Sequence, residues 1–236
     1  MSDTAISTNP AGLPEDVLLP EEEAGEEGLE SPVPAEPAAA APPAKAESPS
    51  TGPDFVHLHL HSDYSMLDGA CQIGRLCERV KALGQKAVAV TDHGNMFGAL
   101  DLYRTAGKQG LRPIIGCEFY TTPSGIADRT DATRHHLVLL AKDFTGYQTL
   151  CHLNRIAWSD EGVYYKPRID REVLRRHHDH LVCLSACVAG EVPDCLLKGR
   201  EDKAREAIEF FIGLFGKEDF YLELQYHAPP SWRSPT

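Results

Sequence analysis

Phe55-Val56-His57-Leu58-His59-Leu60-His61-Ser62-Asp63-Tyr64-Ser65-Met66-Leu67-Asp68-Gly69 is the stretch around which the rest of the chain can be read. From Val56 to His61 apolar residues and histidines alternate. That is the period of a β-strand, so His57, His59 and His61 are expected on one face. Three imidazoles on one face of one strand form a metal-site arrangement. Asp68 follows in a loop short enough to fold back over the strand end, and neutral imidazole with carboxylate is a ligand mixture that Zn²⁺, Mn²⁺ or Fe accepts. A polar strand edge with incidental histidines is the plainer reading of the same letters.

Outward from this stretch the chain alternates strand and helix. Ile73, Leu76, Cys77, Val80 and Leu83 recur at helical spacing until Gly84, and residues 87–91 make a continuous apolar strand that runs into Asp92-His93-Gly94-Asn95. Residues 96–109 read as a helix and 113–120 as a third strand carrying Glu118. A loop with Pro123, Ser124 and Gly125 leads to a fourth strand over 135–141, headed by His135 and His136. Asp143 is placed to cap the next helix. Residues 164–169 read as an irregular connector, and 170–177 as a short helix. A fifth strand exits at Cys187, helices follow over 191–197 and 201–214, and a sixth strand covers 220–224. This order predicts an α/β fold built from βαβ units on a parallel sheet, either open or closed into a barrel. In both cases the loops at the carboxyl ends of the strands converge on one pocket.

Placed on that framework, His59, His61, Asp68, His93, Glu118, His136 and Cys187 all fall at strand ends. They offer more ligands than one tetrahedral ion uses, so a cluster of two or three metals is the economical explanation. Such clusters clamp a phosphate ester and lower the pKa of a water, which points to phosphoester hydrolysis. Singly, Glu118 before an aromatic pair or His136 heading a strand would be structural. His57 starts too early on the strand and is assigned to support or packing, and Asp92 could orient His93. Lys166 and Arg168 could meet phosphate, although surface bases beside a proline are usually just solvated. The chain contains no Gly-x-Gly-x-x-Gly, phosphate-loop lysine or nucleophile-elbow pattern.

Composition places this chemistry in one part of the 236 residues. Residues 1–53 carry eleven acids against the single base Lys45, which accounts for most of the net charge of −12 and leaves the remainder near neutral. That segment has no aromatic residue and no sustained apolar period, so it reads as a disordered acidic arm whose one apolar knot is Val17-Leu18-Leu19. It has no signal-peptide pattern, and no stretch of the chain is long and apolar enough to span a membrane. Seven cysteines, an odd number without Cys-x-x-Cys pairing, fit reduced thiols in the cytoplasm.

The motifs together resemble a known family. His59-Leu60-His61 with Ser62-Asp63-Tyr64-Ser65-Met66-Leu67-Asp68-Gly69, followed by Thr91-Asp92-His93-Gly94, is similar to the first two motifs of the polymerase and histidinol phosphatase (PHP) family. Residues 93–98, 164–170 and 184–187 narrow the resemblance to the amino-terminal PHP domains of bacterial DNA polymerase III alpha subunits. The resemblance spans residues 54–225. It implies a distorted (β/α)7 barrel with a centre of two or three Zn or Mn ions, Fe being a further option. The metal-ligand roles fall on the seven residues named above, and the activity implied is a 3′–5′ exonuclease on DNA. A free-standing phosphatase of the histidinol-phosphate type and a non-catalytic scaffold are the alternatives. In the alpha subunits the partners implied are DNA, the proofreading exonuclease subunit and the sliding clamp, and a separate polymerase site uses Mg in parts this sequence does not include. The family pattern also continues past Gln225 with an Asp-x-His pair. Here residues 226–236 diverge, so the barrel is expected to be incomplete at its C-terminal end, with domains at 1–53 (arm), 54–225 (PHP) and 226–236 (divergent end).

Overall fold

The computed structural model describes residues 55–225, all within one unit, Pro49–Thr236. The expected arm, 1–53, and the divergent end, 226–236, lie outside the described residues. The elements in order are α1 (Ile73–Ala82), β1 (Ala87–Val90), α2 (Ala99–Lys108), β2 (Arg112–Thr122), β3 (His135–Ala141), α3 (Phe144–Ala157), β4 (Val163–Tyr164), β5 (Lys166–Asp170), α4 (Arg171–Arg176), β6 (Leu181–Leu184), α5 (Glu191–Leu197), α6 (Glu201–Phe215) and β7 (Phe220–Tyr221). The alternation of helices with a curled sheet agrees with the α/β class.

The long strand β2 is the axis. Along one edge, residues 112–115 pair in parallel with β1, Glu118 bridges His93, and residues 120–122 pair in parallel with β5. Its other edge pairs with β3, which pairs in turn with β6, and β6 with β7. Because side chains alternate across a strand, Cys117 and Phe119 of β2 face Leu137 and Leu139 of β3, Leu150 and Leu153 of α3, and Phe211 of α6. These residues are fully or nearly fully buried. Each such leucine or phenylalanine contributes about 1.5–3 kcal/mol of burial free energy. Glu118 and Tyr120 point the opposite way, into the concave side, where Val138, Leu140, Leu184 and Ala186 form a small apolar floor.

Local sequence explains the element ends. Asp143 accepts a 3.0 Å hydrogen bond from Gly146 N at the start of α3, as its side chain predicts, and Asp170 caps α4 through Val173 N at 2.8 Å. The buried face of α1 is Ile73, Leu76, Cys77 and Val80.

Three expectations need correcting. The sheet is mixed, because β3 runs antiparallel to both β2 and β6. No helix separates β2 from β3, and only antiparallel neighbours can be joined without a crossover. Residues 164–169 are no irregular connector but the β4–β5 hairpin. Finally, residues 56–61 are extended without forming a regular strand. His57 O accepts from Ala89 N and Leu60 O from Thr91 N, each at 2.8 Å, so three residues here span two of the partner and the ladder carries an extra residue.

Candidate metal centre

The centre is built on the carboxylate of Glu118, which has no solvent exposure. Four imidazoles surround it. His59 Nε2 lies 3.2 Å and His136 Nδ1 2.9 Å from Oε1, while His61 Nε2 lies 3.3 Å and His93 Nδ1 2.7 Å from Oε2. Asp68 Oδ2 meets His93 Nε2 at 2.5 Å, so both nitrogens of that ring face carboxylates. Cys187 Sγ is 3.5 Å from His136 Nδ1 and 4.0 Å from Glu118 Oε1. The structure therefore brings all seven candidate ligands into one cluster, with Asp68 and Cys187 on its rim.

Each arrives by a local cause. The extra residue in the 57–61 segment still leaves His59 and His61 on the concave side. Glu118 projects there by strand alternation, and His93 is held beside it because Glu118 N donates to Asp92 O and Gly94 N to Glu118 O. His136 reaches the cluster from β3, diagonal to Glu118 across the antiparallel pair. Asp68 sits on a turn closed by Gly69 N to Ser65 O at 2.7 Å. A Cβ at Gly69 would lie 1.8 Å from Ser62 O, so only glycine lets the turn close this tightly.

The donor set fits metal ions. His59, His61 and Glu118 offer ligand atoms within 4.8 Å of one another, as do His93, Glu118 and His136, so the carboxylate is common to two three-residue groups. His93 Nδ1 and Glu118 Oε2 lie only 2.7 Å apart, yet both are buried without an aligned hydrogen-bond partner, as is His61 Nδ1. Lone pairs that crowd without pairing suit convergence on a shared cation better than a network of mutual hydrogen bonds.

Charge is arranged accordingly. Burial disfavours the Glu118 carboxylate, but His136, His59, His61 and His93 outweigh it and hold its pKa well below the usual carboxylate range. Burial opposes the His59 cation, and Glu118 and Glu223 override that, so its pKa is pushed up to about 10. For His136, burial is outweighed by Cys187 and Glu118, and its pKa rises to about 9. The Cys187 thiol is lowered, because His136 and the Ala189 backbone N–H outweigh the burial that would raise it. Without metal, protons therefore occupy positions that a cation would take over.

The supporting residues differ from expectation. Asp92 does not touch the His93 ring. It is buried and accepts from Ser62 N, Ser62 Oγ and Ser65 Oγ at 2.7, 2.7 and 2.6 Å, while Ser65 Oγ accepts from His93 N at 3.1 Å. It thus fixes the loop that carries both histidine motifs. His57 packs edge-on against Phe55, away from the cluster. Arg168 cannot receive phosphate. It is fully buried and donates to Asp131 O, Ile126 O and Asp128 O, pinning the 123–134 loop. Lys166 is exposed, with Nζ 5.6 Å from the centroid of Tyr120, whose ring neighbours those of His93 and His136. Sequence reasoning passed over Glu223, which binds His59 Nδ1 at 2.8 and 3.0 Å. Its signal was the one Glu118 also gave, a carboxylate set between apolar residues.

Comparison with known proteins places the sequence in a family. A family model described as PHP domain matches residues 57–227. The DNA polymerase III subunit alpha of Treponema pallidum (strain Nichols) is 48% identical over 178 residues, covering 74% of this chain and 15% of that protein. The subunit of the same name from Deinococcus radiodurans is 44% identical over 188 residues, covering 75% of this chain and 14% of that protein. The chain thus spans about 15% of the length of the curated relatives it matches. Among solved structures, an amidohydrolase from Chromobacterium violaceum overlaps with a TM-score of 0.34 at 22% identity, over 43% of this chain and 32% of that one. With the family model covering most of its described residues, the chain belongs to the PHP domain family.

Proposed function

We propose that the Glu118 cluster is a phosphodiesterase centre acting as a 3′–5′ exonuclease on DNA, within the amino-terminal PHP region of a replicative DNA polymerase III alpha subunit. The observation that carries the chemistry is the buried carboxylate shared by two groups of imidazoles, open to solvent at Asp68. The name and coverage of the relatives support the assignment to the alpha subunit. Polymerisation with Mg at a separate site, association with the proofreading subunit and sliding clamp, and a cytoplasmic location belong to that larger protein. Among the described residues no helix is long and apolar enough to cross a membrane.

His59, His61, Asp68, His93, Glu118, His136 and Cys187 would hold two or three Zn or Mn ions, with Fe as a further option. Bound there, the ions would supply positive charge to the phosphate oxygens and lower the pKa of a water. The chain's own part is positional. Glu118 spaces the imidazoles, Glu223 turns the His59 ring, and Asp92 locks the loop that presents His61 and His93. Overall, water adds to phosphorus, the bond to the 3′ oxygen breaks, and the proton of the water ends on the released hydroxyl.

The test is metal analysis followed by hydrolysis assays with Mn²⁺ in excess, using 5′-labelled single-stranded DNA beside a phosphate monoester. Shortening from the 3′ end with little monoester cleavage is expected. Monoester cleavage without shortening would favour a phosphatase of the histidinol-phosphate type, and failure to retain metal would favour a scaffold.

A further inference from the structure

The β4–β5 hairpin has an unusual backbone. Tyr164 pairs with Lys166 and Val163 with Pro167, so a single residue, Tyr165, makes the turn. Tyr165 has φ +61°, a left-handed conformation that costs a bulky residue of order 1–3 kcal/mol, yet its side chain is not buried in exchange. The residue is 75% exposed. The strain is sustained by bracing from below. Arg129 donates to the carbonyls of Val163, Asp160 and Glu161, and the buried Arg168 guanidinium lies 4.9 Å from the centroid of the Tyr164 ring. A rigid hairpin therefore displays one aromatic ring to solvent.

The hairpin reaches toward the metal centre through the residue that follows Tyr165. Lys166, next in sequence, lies over Tyr120, and Tyr120 flanks His93 and His136. Arg134 is exposed and close enough for its charge to act on the Tyr120 phenol. Trp158, 55% exposed, donates from Nε1 to Gly94 O at 2.7 Å, one residue from His93. Exposed rings interleaved with cations at the rim of a phosphodiester site have the chemistry of a single-strand platform, in which rings stack on bases and ammonium groups meet phosphates.

We propose that Tyr165 is a base-stacking residue for single-stranded nucleic acid, with Lys166 holding the adjoining phosphate as the strand enters the metal centre. The proposal rests on the phosphodiester reading of that centre and adds a substrate-binding subsite to it. A protein partner docking on Tyr165 is the competing use of the same ring. Charge complementarity and continuity with the centre favour the nucleic acid.

The test is fluorescence anisotropy on the 236-residue chain with Mn²⁺ and a labelled, hydrolysis-resistant phosphorothioate oligothymidylate, beside its abasic counterpart. Tyr165→Ala is expected to weaken binding of the base-containing strand about tenfold and to leave abasic binding nearly unchanged. Tyr165→Phe retains affinity, and Lys166→Gln lowers the slope of affinity against salt by about one phosphate contact. Tyr165→Gly relieves the left-handed strain, so it should fold with an equal or higher thermal midpoint while losing affinity, which separates binding from folding. Binding that depends on Tyr165 in a chain that fails to shorten DNA supports the subsite and removes only the hydrolytic reading. Unchanged affinity in Tyr165→Ala, equal losses on base-containing and abasic strands, or no binding by the wild-type chain would each overturn the proposal.

Discussion

Glu223 holds His59 Nδ1 at 2.8 Å, across 164 residues of sequence, and leaves the opposite nitrogen of the ring aimed at Glu118. A carboxylate on the far side of a ligating imidazole fixes its tautomer and raises its basicity. Glu223→Gln should weaken metal affinity about 10–100-fold with little change in circular dichroism. Isothermal titration with Zn²⁺ or Mn²⁺ checks this, and an unchanged affinity would show that Glu223 serves packing alone.

Glu118 belongs to both three-residue groups, whereas His61 belongs to one. Metal analysis after loading should therefore separate the two positions. Glu118→Gln is expected to lose about two ions per chain and His61→Ala about one. Equal stoichiometries would mean that the carboxylate is not shared.

The raised histidines set a pH trend. His59 at about 10 and His136 at about 9 both exceed the ordinary imidazole value of 6.5. Groups shifted upward contribute stability that is fully present below about pH 6.5 and is lost as pH climbs through 9 to 10. Metal-free protein should thus lose thermal stability between pH 7 and 10. Metal-loaded protein should not follow, since its ligands are already deprotonated and metal affinity rises with pH. Calorimetry with chelator and with Mn²⁺ reads the difference. Parallel slopes would contradict it.

Asp92 satisfies three donors from Ser62 and Ser65 in a buried setting. Asp92→Ala leaves them without their acceptor, at a cost of about 2–3 kcal/mol, which lowers Tm by on the order of 5–10 °C. Since Ser65 also holds His93 N, metal affinity should fall as well. Thermal melts with and without metal test both effects.

Much of this was legible because it is local. Apolar period marked α1 and β1, and the span of β3 over 135–141 could be read to the residue, as could the Asp143 cap. The placement of His93 and Cys187 just past strand ends followed from the βα alternation, whereas Glu118, expected at a strand end, lies inside β2 because that strand runs on to Thr122. What escaped depends on distant partners. The direction of β3 is set by its neighbours, although the missing helix before it was a clue. Arg168 reads as a surface base beside Pro167, and only the carbonyls of the 123–134 loop, more than thirty residues earlier, explain why it is buried. Asp92 beside His93 suggested a direct bond, whereas the fold turns it toward Ser62 and Ser65.

The His59–Glu223 contact ties the first described segment to the last, while the ligands between them come from two strands, β2 and β3, and from the loops that carry Asp68, His93 and Cys187. During synthesis at about 5–20 residues per second, His59 would wait on the order of ten seconds for Glu223 to be made. His61, His93 and Glu118 would leave the ribosome as an unfinished cup of imidazoles around a carboxylate. A metal held by this cluster would therefore gain the support of Glu223 only once translation has passed β7, and nascent chains halted before it should retain the ion less tightly.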